Sequence, residues 1–457
     1  MLRSGTVLFV SAGMLRPKKR DHPLARRQLY LNYGALTLAS QLSRSGQAAV
    51  LVHGMHEDPG AFLGALVTSG LLPSVHPVML SLPSFYSLPW AQVFCRKLKG
   101  TFPDARIVVG GRWVTNPDPE WLRRKLPEVD EVVCGLGEAQ IGGLMGLQGS
   151  ITAPGPLPDF TLDHRLVQGF QAFQPSIEAS RGCAMGCAFC EERAIPLTHL
   201  KPAAQLADHM QEVTAQYDGE TIHPYLQSSF FLPTARWAEG LREEVAKRGL
   251  ATRWRTETRV DAMLPATVEL LAQAGLKVLD VGLETASPRQ ILAMQKSKKP
   301  DQYLRRASEL LNACRANDVW VKVNVLMYAG ETEETFAETS AWLDEHADAI
   351  KGVSVGPVLV YGPPKQAGPL LGEMAEQGAR PVDPDQAETE GISQLHLSWA
   401  FDAEAAEAAS LELSRRHMTA DDYYDLKAFS YYPRSFDRRD FDADVAQTDR
   451  TLLPFTI

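Results

Sequence analysis

Apolar and polar positions along this chain form two runs of strand–helix alternation, separated by a proline-bearing stretch with no period. In residues 1–150, Val7–Val10 is a short continuous apolar run and predicts a buried strand. Leu31–Ser45 follows with Leu31, Ala35, Leu38 and Leu42 at helical spacing. Val50–Val52 predicts the next strand, followed by a helical stretch ending near Leu72. Val78–Leu82, Ile107–Val109 and Glu131–Val133 predict three more. The last two run into Gly110-Gly111 and into Gly135-Leu136-Gly137-Glu138. Short apolar strands alternating with helices predict a parallel, doubly wound sheet. Ligands of such sheets sit outside the strand carboxyl ends, where these glycine turns fall.

Residues 151–175 carry Pro154, Pro156, Pro158 and Pro175 without periodicity and read as a linker. From 176 to 365 the alternation resumes, beginning with a loop that holds three cysteines. The pattern then predicts helix Ala203–Gln216, strand Ile222–Leu226, helix Ala235–Arg248 and strand Ala251–Glu257. Helix Pro265–Ala274, strand Val278–Leu283 and helix Ala307–Asn317 come next. Strand Val319–Met327, helix Glu333–His346 and strand Lys351–Val360 complete the series. Roughly six such units predict a partial barrel with its chemistry at the strand carboxyl ends. Residues 366–457 are mixed and helix-leaning, with a helix over Ala403–Arg416. The expected fold is therefore α/β: a doubly wound Rossmann-like domain at 1–150, a linker at 151–175, a partial (β/α)6 barrel at 176–365 and a C-terminal extension at 366–457.

Composition narrows the function classes. The chain has 457 residues, 45% of them hydrophobic and 22% charged, as in an ordinary globular protein of two or three domains. A formal charge of −9 argues against a nucleic-acid groove, which needs clustered Lys and Arg. Lys18-Lys19-Arg20 is short and reads as a solvated loop. No apolar run approaches the ~20 residues that span a bilayer. Thr6–Val10 is too short for the ~7–15-residue core of a signal peptide. The expectation is a cytoplasmic protein with reduced thiols and no membrane partner. Six cysteines in that setting are no disulfide framework, and the spacing Cys183-x3-Cys187-x2-Cys190 points to a metal.

Thiolates suit the irons of a cubane cluster, and three ligands leave one of its four irons open. Gly182, Ala184, Gly186 and Ala188 let the backbone curl tightly around such a group. The alternative is a structural zinc, which normally closes with four ligands. The further donors are His199 nearby and the remote Cys95, Cys134 and Cys314.

The spacing, with Phe189 just before the third cysteine, resembles the signature of the radical S-adenosylmethionine (SAM) superfamily. That resemblance implies a [4Fe–4S] cluster on Cys183, Cys187 and Cys190, whose open iron chelates SAM. One electron then cleaves SAM to methionine and a 5′-deoxyadenosyl radical that abstracts hydrogen from a substrate. It implies a place for Phe189 beside the adenine. Downstream, Trp254–Asp261 looks like the family's strand-end segment whose polar residues, here Glu257 and Arg259, reach SAM. Gly275-Leu276 with Val281–Ser287 is similar to its next strand, ending in Glu284 and Ser287 near SAM. Ala329–Thr335 looks like the turn after the strand that follows. One departure stands out. Where the family usually places paired acids for the cofactor's amino group, this chain has Leu226-Gln227-Ser228-Ser229-Phe230. Gln227 and Ser228 still hydrogen-bond, without charge assistance.

The first domain resembles the cobalamin-binding domain that precedes many radical SAM cores, through Ser81–Ser84, Gly110, Gly111, Gly135 and Gly137. The Asp-x-His-x-x-Gly signature that supplies a histidine to cobalt is absent, and Asp21-His22, His53 and His56 lie outside its pattern. The resemblance implies a radical SAM enzyme with bound cobalamin that C-methylates a small-molecule or natural-product substrate, fed by an electron donor such as flavodoxin or ferredoxin. The alternative is a radical SAM dehydratase, mutase, epimerase or cyclase whose first domain is scaffold only. A methylthiotransferase would carry a second cysteine trio, whereas Cys95, Cys134 and Cys314 are scattered. A plain iron–sulfur electron carrier would bind all four irons and need no barrel. Candidate substrate contacts are Tyr361, Tyr423 and Tyr424.

Overall fold

The computed structural model describes residues 4–146, 155 and 157–457. Pro154, Pro156 and the expected boundary at 150/151 lie outside the described residues. The chain divides into two compact units: residues 1–173 with 361–369 and 385–392, and residues 174–360 with 370–384 and 393–457.

The first unit is built on five parallel strands: β1 (Val7–Ser11), β2 (Ala49–His53), β3 (Val78–Ser81), β4 (Ile107–Gly110) and β5 (Glu131–Val132). Their order is β2-β1-β3-β4-β5, the doubly wound order of flavodoxin-like sheets, with its switch point between β1 and β3. The strands are apolar on both faces because both faces are covered. Val7 and Phe9 pack with Leu36, Ala39 and Leu42 of helix Tyr33–Arg44. Leu8 and Val10 pack with Phe62 and Leu66 of helix Pro59–Thr68 and with Trp90 and Phe94 of helix Leu88–Thr101. That last helix goes beyond the elements read from the sequence. Its Pro89 sits in the first turn, where a missing N–H costs nothing. The stretch read as linker is packed in part: Leu162, Val167 and Phe173 are buried in the core beside β2, and Val167 bridges to Leu51. Three apolar side chains without a period leave no helical or strand signal, yet they fill a sheet face.

The second unit holds β6 (Ser176–Glu178), β7 (Tyr225–Gln227), β8 (Trp254–Arg259), β9 (Leu276–Glu284), β10 (Trp320–Met327) and β11 (Gly352–Pro357). They pair in chain order, all parallel, as a six-stranded partial barrel. Helices Ala203–Gln216, Ala235–Lys247, Pro265–Gln273, Pro300–Ala316 and Glu333–Glu345 follow successive strands. β6 lies in what reads as loop, and β7 and β8 each begin three residues later than their expected starts at Ile222 and Ala251. The helix expected from Ala307 already starts at Pro300, where proline again occupies the first turn. Along β10, Val321, Val323, Val325 and Met327 are buried while Trp320, Lys322, Asn324 and Leu326 are less so. At the barrel edge, the β11 N–H of Val355 donates to Ser414 Oγ (3.1 Å) of helix Ala403–Arg416, which covers that strand. Among the described residues no helix is long and apolar enough to cross a membrane.

Candidate active site

The three cysteines lie on the loop leaving β6. Arg181 anchors that loop with two hydrogen bonds to Glu178 at 2.5 and 3.0 Å. Ser180 Oγ and Ser228 Oγ pair at 2.6 Å across the start of the loop and the end of β7. Gly182 has φ +76, and a Cβ there would meet the Pro196 carbonyl oxygen at 2.1 Å, so no side chain fits. The N–H of Cys183 donates to Ile195 O (3.0 Å) and that of Ala188 to Met294 O (2.9 Å), which closes the loop into a cup. Cys187 is buried, while Cys183 and Cys190 are half-buried. Burial pushes the Cys190 thiol up to about 11 and raises Cys183 as well. The thiolate form therefore waits on a cation to stabilise it.

The carboxyl ends of β8 and β9 face this cup. Arg259 Nη1 points at Cys187 Sγ (3.4 Å), while Asp261 holds Arg259 Nε (3.0 Å) and Nη2 (3.2 Å). Lys296, in the turn after helix Pro288–Ala293, accepts from Arg259 Nη2 through its carbonyl (2.6 Å). The Lys296 ammonium pairs with Glu284 Oε1 (3.2 Å) and lies over the Phe189 ring at 5.8 Å. Glu284 ends β9 in the left-handed region, φ +61, a conformation its Cβ makes costly and the ion pair helps to hold.

Deeper in the same barrel is a buried charge cluster. Arg255 grips Asp280 with two hydrogen bonds (2.5 and 2.8 Å), and Lys322 lies 3.4 Å from the same carboxylate. Burial alone would raise Asp280, but Arg255 and Lys322 outweigh it and hold the carboxyl down to about 2. Glu257 lies two residues along β8 from Arg255. Burial, aided by Asp280, raises Glu257 to about 7. Near neutrality it both donates and accepts a proton readily.

The family model of the radical SAM superfamily matches residues 177–343, which span the cysteine loop and β8 to β10. The chain carries a radical SAM domain. Such a domain implies a [4Fe–4S] cluster and SAM. Among solved structures, the radical SAM methyltransferase TsrM from Kitasatospora setae, with cobalamin and [4Fe–4S] cluster bound, shares 18% identity. That match covers 99% of this chain and 93% of TsrM, at a TM-score of 0.63. The cobalamin-dependent radical enzyme OxsB, with aqua-cobalamin and SAM bound, shares 16% identity over 76% of this chain and 52% of its own, at a TM-score of 0.58. The aligned part thus spans about half the length of OxsB. At these identities both show the fold. No curated protein matches the chain.

The donor set fits the cluster that a radical SAM domain implies. Three cysteines lie on one curled loop, the middle one buried beneath a guanidinium. Among the described residues no three His, Cys, Asp or Glu side chains converge as ligands of a single metal ion must. A cubane asks for something different, one thiolate at each of three separate corners.

The remaining expected site residues are placed as follows. Phe189 is half-buried, edge-on to Tyr328 at 6.3 Å. Gln227 donates to Ser176 Oγ (3.0 Å), and Ser228 is buried against Ser180, so both side chains serve the neighbouring strand. Ser287 is fully buried with no hydrogen-bond partner for its hydroxyl. In the first unit, Gly110 is open to approach at the end of β4. Gly111 has φ +119, and a Cβ there would meet the Leu82 carbonyl oxygen at 2.2 Å, so what approaches it closely is the chain's own backbone. Gly135 donates its N–H to Asn116 (2.6 Å), and Gly137 abuts Leu38. His53 Nε2 accepts from the backbone N–H of Asn32 (3.0 Å), which puts its proton on Nδ1 and leaves neither nitrogen ready for a metal. Of the other histidines weighed, His56 Nδ1 contacts Met14 O at 3.0 Å. Tyr423 is buried against Phe455 (4.7 Å) and Tyr424 packs on Phe441 (5.3 Å), as ordinary aromatic packing. Lys296 and Lys322 were not legible as site residues. For Lys322 the one hint was polar alternation along β10, which in an open sheet means solvent.

Proposed function

We propose that this chain is a cobalamin-dependent radical SAM methyltransferase acting on an unactivated carbon of a small-molecule or natural-product substrate. The observation that carries the reading is a flavodoxin-like parallel sheet ahead of a cysteine-bearing (β/α)6 barrel, in a fold that matches TsrM over nearly its whole length. In this reading residues 1–150 are the cobalamin-binding domain, 176–365 the radical core and 366–457 an extension. Cys183, Cys187 and Cys190 hold three irons. When bound, the cluster and SAM supply a one-electron reductive cleavage that starts radical chemistry, and cobalamin supplies the methyl group. The protein's own part is alignment and exclusion. Phe189 offers a ring face for the adenine, while Glu284, Ser287 and Glu257 offer hydrogen-bond partners around SAM, and Gln227 and Ser228 brace the strand ends beside it. Gly110, Gly135 and Gly137 line the approach to the corrinoid. An external low-potential carrier of the flavodoxin or ferredoxin kind supplies the electron.

The engagement of His53 and the packing at Gly111 favour a second reading, a scaffold-only first domain with a dehydratase, mutase, epimerase or cyclase reaction. Anaerobically reconstituted protein incubated with hydroxocobalamin and then desalted separates the two. Retention of one corrinoid per chain, seen in the visible spectrum, is expected. Formation of 5′-deoxyadenosine by protein that retains no corrinoid would overturn the methyltransferase in favour of the second reading.

A further inference from the structure

We propose that Arg259 is a positioning residue for the cluster, donating an N–H to the Cys187 ligand sulfur and thereby raising the cluster's reduction potential. This rests on the cysteine assignment above and moves Arg259 from SAM to the ligand sulfur. A guanidinium has five N–H donors in a fixed plane and does not lose its proton. Here the fork is almost fully committed. Asp261 takes Nε and one face of Nη2 (3.0 and 3.2 Å), and the Lys296 carbonyl takes Nη2 as well (2.6 Å). With those bonds fixing the plane, Nη1 is left directed at Cys187 Sγ, 3.4 Å away. The Tyr303 ring, its centroid 5.9 Å from the guanidinium carbon, backs the group on the other side. Arg259 is buried, so little water screens its charge.

Reduction adds one electron, supplied by the external donor, to the cluster and takes up no proton at Arg259. A fixed positive donor on a ligand sulfur favours the more negative, reduced state. Hydrogen bonds to cluster sulfurs are among the levers that set such potentials. The arrangement also ties the cluster loop to the turn after helix Pro288–Ala293 through Lys296, the same residue that holds Glu284.

The test is spectroelectrochemistry of the full chain, reconstituted anaerobically, as wild type, Arg259→Gln, Arg259→Lys and Asp261→Asn. With iron content and circular dichroism unchanged, Arg259→Gln is expected to lower the reduced-to-oxidised ratio at a fixed potential about tenfold, or about 59 mV for one electron. Asp261→Asn, which removes the anion that offsets the Arg259 charge, is expected to raise that ratio, by less than Arg259→Gln lowers it. A fully loaded Arg259→Gln cluster with the wild-type potential would overturn the proposal. If that variant takes up no iron, Arg259→Lys decides: it keeps the charge but loses the fork, and a lowered potential supports the proposal while an unchanged one overturns it. Wild type that binds no cluster points instead to failure of the cysteine assignment.

Discussion

Replacing Cys187 by alanine is expected to give a folded chain that takes up no stable cubane and forms no 5′-deoxyadenosine from SAM. Cys187 is the buried member of the trio and the one that faces Arg259. Its loss leaves two half-buried thiols for four irons, too few to retain them. The folding penalty is small by comparison, about 1 kcal/mol for one atom removed from a buried site. Iron analysis, visible absorption and product formation, with circular dichroism as the folding control, check the expectation. Full iron content with undiminished SAM cleavage would remove Cys187 from the ligand set.

The second large effect is on stability. Asp280→Asn leaves the buried Arg255 and Lys322 without their shared carboxylate. Breaking a buried pair by removing one partner costs about 3–5 kcal/mol. The lower end is expected, because Glu257 is held near 7 partly by Asp280 and ionises more readily once that charge is gone. The pH dependence follows from the depressed carboxyl. A group held at about 2 instead of 3.8 adds stability that is complete above pH 4 and is lost as pH falls from 4 to 2. Urea unfolding at pH 7 is therefore expected to show the full deficit of Asp280→Asn, and the two proteins are expected to converge through that acid window. A double variant with Arg255→Met recovers much of the loss if the cost is an uncompensated charge. Equal midpoints for wild type and Asp280→Asn at pH 7 would show the cluster to be energetically idle.

The first unit was largely legible because a parallel sheet covered on both faces writes its strands as unbroken apolar runs such as Val7–Val10. The helix Leu88–Thr101 was not, although its buried Trp90, Phe94 and Leu98 recur every four residues, because Pro89 beside them reads as a break unless it is placed in the first turn. In the barrel the strand β8 was read, but not what its polar side chains meet. Arg255, Glu257 and Arg259 alternate with Trp254, Thr256 and Thr258, a pattern that in isolation marks a solvent-facing strand. Only closure of the barrel turns the two arginines inward, where Arg255 pairs with Asp280 and Arg259 with Asp261. The cysteine trio was visible because three thiols crowded within one short loop have few other uses. Arg259 was visible as a residue but not in its role, because its partner lies 72 positions away. Lys296 reaches back to Glu284 past the intervening helix Pro288–Ala293, and no spacing rule marks such a contact.

Electron paramagnetic resonance of the anaerobically reconstituted, dithionite-reduced chain, with and without SAM, tests the three-thiolate cubane most directly. A reduced [4Fe–4S] signal of one spin per chain that changes shape when SAM is added is the predicted result. A chain that yields no cubic cluster, or one whose signal is indifferent to saturating SAM, would contradict it.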